Sequence, residues 1–134
     1  MTQTEIDGLL AEGIRLFNNG YFFEAHEVLE QAWKVAEGTD KIFYQGIIQA
    51  AAALVHVRRG NYTGAISVYL KSRPKLYRFP AVWMGIDLGQ FRSELTRYFA
   101  AVQAALATTG ENCQPSRPER IPGTKQVPTI RWAP

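Results

Sequence analysis

Residues 41–59, KIFYQGIIQAAAALVHVRR, are apolar on almost every side of a helical projection, and no other segment restricts the fold as much. Phe43, Ile47 and Leu54 fall on one flank, and Tyr44, Ile48, Ala51 and Val55 on the other. A helix that is hydrophobic all round has to be surrounded by neighbours, so this one is central. One line interrupts it: Gln45, Gln49 and His56, spaced by Gly46, Ala52 and Ala53, which are too small to cover them. The apolar run stops at His56, Arg58 and Arg59, far short of the ~20 residues that span a bilayer, so no membrane partner is expected.

The neighbours are helices too. Ile6, Leu9, Leu10, Ile14 and Phe17 recur at helical spacing, which predicts a first helix over about 4–17 with Thr4 as its cap. Asn18-Asn19-Gly20 stops it, and a second helix runs to about Ala36 before Gly38 breaks the chain. Asp40 is the expected cap of the third helix and Gly60 its end; Asn61 caps a fourth, which Pro74 must kink or terminate. After a loop with Pro80 and Gly85, the spacing of Phe91, Leu95, Tyr98, Phe99, Val102 and Leu106 predicts a last helix from Asp87 or Leu88 to about Ala107.

The fold class is therefore all-α: one domain, a bundle of five antiparallel helices over 1–107, then an extended proline-rich arm over 108–134. Pro115, Pro118, Pro122, Pro128 and Pro134 exclude helix from the arm, and Ile121, Val127, Ile130 and Trp132 are its candidate anchors. Cys113 is the single cysteine, which excludes an internal disulfide, and the acidic N-terminus lacks the features of a signal peptide. A cytoplasmic setting is the expectation.

Net charge is +3, unevenly placed. Residues 1–57 hold three basic against eight acidic side chains, and residues 58–134 twelve against four. An acidic partner, nucleic acid included, is one use for such asymmetry, with Lys71, Arg73, Lys75 and Arg78 interleaved with Tyr69 and Tyr77. Pairing of the two halves within the fold is another.

Gly20-Tyr21-Phe22-Phe23-Glu24-Ala25 and Gly60-Asn61-Tyr62-Thr63-Gly64-Ala65 share the pattern Gly-x-aromatic-x-x-Ala, forty residues apart. The pattern resembles the turn between the paired helices of tetratricopeptide repeats, although the spacing is longer. On the second helix His26 and Glu30 project among Phe22, Phe23, Leu29 and Trp33, with Glu27 at the margin. An antiparallel hairpin sets this stripe against Gln45, Gln49 and His56, so His26, Glu27, Glu30, Gln45, Gln49 and His56 form the candidate polar cluster.

Buried groups of this kind must satisfy one another or bind something. Three uses follow: a structural hydrogen-bond network, a pocket for a small ligand or protein partner, or a general acid/base or metal-dependent, hydrolase-like site with His26, Glu30 and His56 as ligands. His-Glu-x-x-His is absent, as are a phosphate loop and a Gly-x-Ser-x-Gly elbow, and the residues name no cofactor.

FNNGYFFEAHEVLEQAW (17–33), FYQGIIQAAAALVHVRRGN (43–61) and YTGA (62–65) resemble the signature of a bacterial, archaeal and plastid family, the domain of unknown function 309. The resemblance covers about residues 10–76 and runs through Glu24-Ala25-His26-Glu27, Glu30, Trp33, Gln45 to Gln49, His56 and Gly60-Asn61. It implies a small helical bundle in a cytoplasmic or plastid-type setting and no established activity. Gly20, Phe22, Trp33, Gly46, Gly60 and Asn61 are expected to serve structure.

Overall fold

The computed structural model describes residues 1–109, 121 and 126–134; Cys113, Pro115, Pro118 and Pro122 lie outside the described residues. Helices α1 (Gln3–Asn18), α2 (Phe22–Val35), α3 (Gly38–Arg58) and α4 (Tyr62–Leu76) follow one another with short turns. A small hairpin, β1 (Val82–Trp83) and β2 (Ile86–Asp87), then leads into α5 (Leu88–Thr109). The fold is all-α, and each helix packs on the next in sequence.

As its composition requires, α3 is central. Between Phe43 and Val57 its residues are buried except along one line, Gln45, Gln49, Ala52, Val55 and His56. Small residues make the enclosure possible: a Cβ on Gly46 would stand 2.8 Å from Leu76 Cδ2 of α4. At the same crossing the buried Ser72 hydroxyl donates to Gly46 O at 2.6 Å, so α4 rests on the α3 backbone itself.

The two Gly-x-aromatic segments form the same turn twice. Gly20 (φ 84°) and Gly60 (φ 76°) are left-handed. Gly20 N donates to Phe17 O and Tyr21 N to Leu16 O; Gly60 N donates to Val57 O and Asn61 N to His56 O. This is the Schellman closure, which satisfies the last carbonyls of α1 and α3 and suits glycine because a Cβ is unfavourable at that φ. Arg58 Nη1 ties the two turns together by donating to Gly20 O at 2.9 Å.

Several local expectations are corrected. Thr2, not Thr4, caps α1, because Thr2 and Glu5 exchange hydrogen bonds in a capping box. The third helix begins at Gly38 with Glu37 as a cap that makes no side-chain bond, so Asp40 lies in its first turn. Pro74 does not terminate α4, which continues to Leu76; the proline sits on the exposed face of the helix.

The arm docks at its described end. Ile121 and Ile130 are buried, Val127 packs on the core, and Trp132 is half exposed. Asn18 behaves as a surrogate strand, donating from Nδ2 to Ile130 O at 2.7 Å and accepting from Ile130 N at 2.8 Å. Asp87 N donates to Arg131 O and Ala133 N to Gly85 O, which lays the arm beside β2. The β1–β2 turn uses two left-handed residues, Met84 (φ 52°) and Gly85 (φ 76°), the geometry of a two-residue hairpin.

Two outcomes test this packing. Gly60→Ala forces a Cβ into a left-handed turn and should lower unfolding free energy by about 1–2 kcal/mol in urea titrations. Tyr44 is buried with no partner for its hydroxyl among the described residues, and burial, helped by the negative charges of Asp40 and Asp7, pushes its phenol up to about 12. The unfolded phenol ionises near the ordinary value of 10.0, so the fold should lose stability between those two pH values. Tyr44→Phe should flatten that alkaline limb and raise stability below it by up to about 1 kcal/mol.

Candidate functional site

The second turn fixes the end of α3 beside the beginning of α2, and this juxtaposition makes the site. Phe23 and His26 from α2 meet Ala52, Val55, His56 and Arg59 from the end of α3 around a solvent-open notch of about 140 Å³. Phe23 lies near-parallel to the His26 ring, 6.3 Å between centroids and 15° between planes, forming an aromatic wall. The notch thus gathers two imidazoles, a guanidinium and an aromatic ring.

The two imidazoles differ in their partners. Among the described residues His26 Nδ1, although buried, has no hydrogen-bond partner and stands 3.9 Å from Glu30 Oε2, one helical turn away. The His26 side chain is nonetheless 31% exposed, so its exposure belongs to the other ring atoms. His56 Nδ1 lies 3.1 Å from Asn61 Nδ2. Asn61 Oδ1 is already committed, accepting from Gly64 N at 2.9 Å as the cap of α4. The amide nitrogen must therefore donate to His56 Nδ1, which leaves neutral His56 with its proton on Nε2.

That tautomer matters chemically. His56 presents an N–H to its surroundings, not a lone pair, and is a hydrogen-bond donor before it is a base or a metal ligand. Turning the Asn61 amide to reverse this would break the α4 cap. Among the described residues no three His, Cys, Asp or Glu side chains are grouped as a metal centre would need.

The six candidate residues do not form the expected buried, mutually bonded cluster. His26 and His56 come together at the notch; Glu27 is exposed, and Glu30, Gln45 and Gln49 are half-buried away from its lining. Among the described residues no hydrogen bond joins the polar groups of α2 to those of α3, and Gln49 Oε1 is buried without a partner. The reason lies in α2. Its buried face is Phe22, Ala25, Leu29 and Ala32, which at ~100° per residue puts His26 about 80° and Glu30 about 120° from the centre of that face. The polar groups occupy the seam between the helices, not the core.

Phe23, Ala52, Val55 and Arg59 also line the notch and were not expected to. Arg59 is one turn beyond His56 and Phe23 one turn before His26, so the helical spacing carried the signal. Of the structural candidates, Phe22 is buried, Trp33 is half-buried with Lys41 Nζ 4.3 Å above its ring, and Gly20, Gly46, Gly60 and Asn61 act as described. A larger cleft, about 450 Å³, lies between the α1–α2 turn and Val127 to Thr129, but its Asn18 and Arg58 are spent on Ile130 and Gly20. No described helix is long and apolar enough to cross a membrane.

Replacing Asn61 by alanine should remove the cap, at a cost of about 1 kcal/mol, and release His56 Nδ1. Long-range nitrogen–proton NMR should find His56 protonated on Nε2 in the native protein and as a mixture of tautomers in Asn61→Ala.

Comparison with known proteins adds a family without a reaction. Residues 10–68 match the profile of a family described as a domain of unknown function (DUF309). An uncharacterized protein of Aquifex aeolicus (strain VF5) is 34% identical over 88 residues, which is 65% of this chain. The aligned region makes up 26% of that relative, so the chain spans about a quarter of its length.

Proposed function

Residues 10–68 match the model of the DUF309 family, and we propose that the chain is a binding module whose notch between α2 and α3 takes a small anionic group, a carboxylate or phosphate. The observation that carries this reading is the convergence of His26, His56 and Arg59 on one solvent-open cavity, with His56 held as an N–H donor by Asn61. Arg59 supplies a fixed positive charge at the rim of the cavity. Charge-assisted hydrogen bonds of this kind are the strong ones in a partly desolvated site.

Size fits the same reading. A water molecule occupies about 30 Å³ of liquid, so the notch holds roughly four to five water-sized groups, the bulk of phosphate or of a short carboxylic acid. Phe23 and Val55 supply an apolar edge for whatever carries the charge. The donor arrangement at His56 favours binding over general-base catalysis.

Titration with inorganic phosphate and with acetate, followed by backbone NMR, tests the proposal. Resonances of residues 23–27 and 52–60 should move saturably in a single-site manner. Arg59→Gln should weaken binding by roughly tenfold, the effect of losing one charge-assisted contact. Shifts spread evenly over the surface, or an unchanged affinity in both Arg59→Gln and His26→Ala, would rule the notch out.

A further inference from the structure

From Lys41 to Ile86 the sequence contains no aspartate or glutamate, yet it holds Lys41, Arg58, Arg59, Lys71, Arg73, Lys75 and Arg78. The last four sit in the second half of α4 and just past its end. This part of α4 buries Tyr69, Ser72 and Leu76, so Lys71, Arg73, Pro74, Tyr77 and Arg78 are left outside and Lys75 is half exposed. α5 packs alongside, through Tyr69 stacked on Phe99 and Arg92 Nη1 donating to Leu76 O and Phe79 O.

Nothing acidic answers these charges among the described residues. Glu94, the acid of α5, turns the other way, accepting from Thr129 N at 3.0 Å and pairing with Arg131 at 3.3 Å. None of Lys71, Arg73, Lys75 or Arg78 makes an ion pair with a described residue. Complementing the α4 dipole needs one or two cations in the last turn, not a row of this length. Tyr77 stands half exposed, with the guanidiniums of Arg73 and Arg92 5.2 Å and 4.9 Å from its ring centroid.

We propose that the outer surface of the second half of α4 and the turn after it, formed by Lys71, Arg73, Lys75, Tyr77 and Arg78, binds the phosphate backbone of single-stranded nucleic acid. Lys71 and Lys75 lie one turn apart along α4, ~5–6 Å between Cβ positions, and Arg78 follows in the turn past its end, a row suited to repeated charges. The exposed Tyr77 ring and the guanidiniums near it are planar groups of the kind on which unpaired bases stack, and duplexes keep their bases inside. Leu70 and Tyr77 are the exposed large apolar side chains on this face, too little to insert into a lipid surface.

The full chain should be tested by fluorescence anisotropy with labelled oligouridine, oligodeoxythymidine and a duplex, and by flotation with phosphatidylserine vesicles. The proposal expects both single strands to bind more tightly than the duplex and the vesicles. With about four phosphates neutralised, log affinity should fall against log salt with a slope near −3. The exposed triple replacement Lys71→Gln, Arg73→Gln, Arg78→Gln should keep the native thermal melt and lose roughly tenfold or more in affinity. His26→Ala should bind the strand like the native chain. Absence of binding at low salt, a flat salt response, an unaffected triple variant that melts normally, or preference for duplex or vesicles overturns it.

Discussion

The structure depends on how closely its neighbours approach α3. Gly46, Ala50, Ala51 and Ala53 are buried, and they let α2 and α4 close on the central helix. Larger side chains there would hold the layers apart. Such packing draws its stability from the apolar area removed from water and from dense contact, and it leaves one strip of α3 without a covering helix. Polar residues occupy that strip: Gln45, Gln49 and His56. The same constraint that builds the core thus decides where polar chemistry is available.

The paired glycine turns convert this packing into a particular geometry. Because α1–α2 and α3–α4 reverse in the same way, the start of α2 and the end of α3 lie together at one end of the bundle, and Arg58 links the turns through Gly20 O. His26 and His56 are thirty residues apart in sequence but line the same notch. Asn61 then serves two roles, capping α4 with its oxygen and orienting His56 with its nitrogen. Fold stability and the state of the site are coupled through that one side chain.

Much of this was legible in the residues. Helix spacing, the two glycines and the line of polar groups on α3 are strong signals, because the 3.6-residue period and a left-handed turn each leave a plain mark. The centre of the buried face of α2 was misread since Phe22, Phe23 and Trp33 weigh heavily in a projection, whereas Ala25 and Ala32 belong to that face. Phe23 is in fact 49% exposed. The β1–β2 hairpin has two residues per strand, too few for any alternation to register, and its third partner comes from the arm more than forty residues later. Arg59 was overlooked because a cation at a helix end has an ordinary explanation in the helix dipole.

The bundle therefore separates two kinds of positive surface: a small notch with an oriented donor at one end, and the second half of α4 with the turn after it at the other. The claim that the notch is an anion site is tested most directly by placing an anion in a crystal. Selenate or bromide, located by anomalous diffraction, should give a peak within hydrogen-bonding reach of His26, His56 and Arg59. Peaks elsewhere on the protein, with none in the notch although it stays open to solvent in the lattice, would contradict the account.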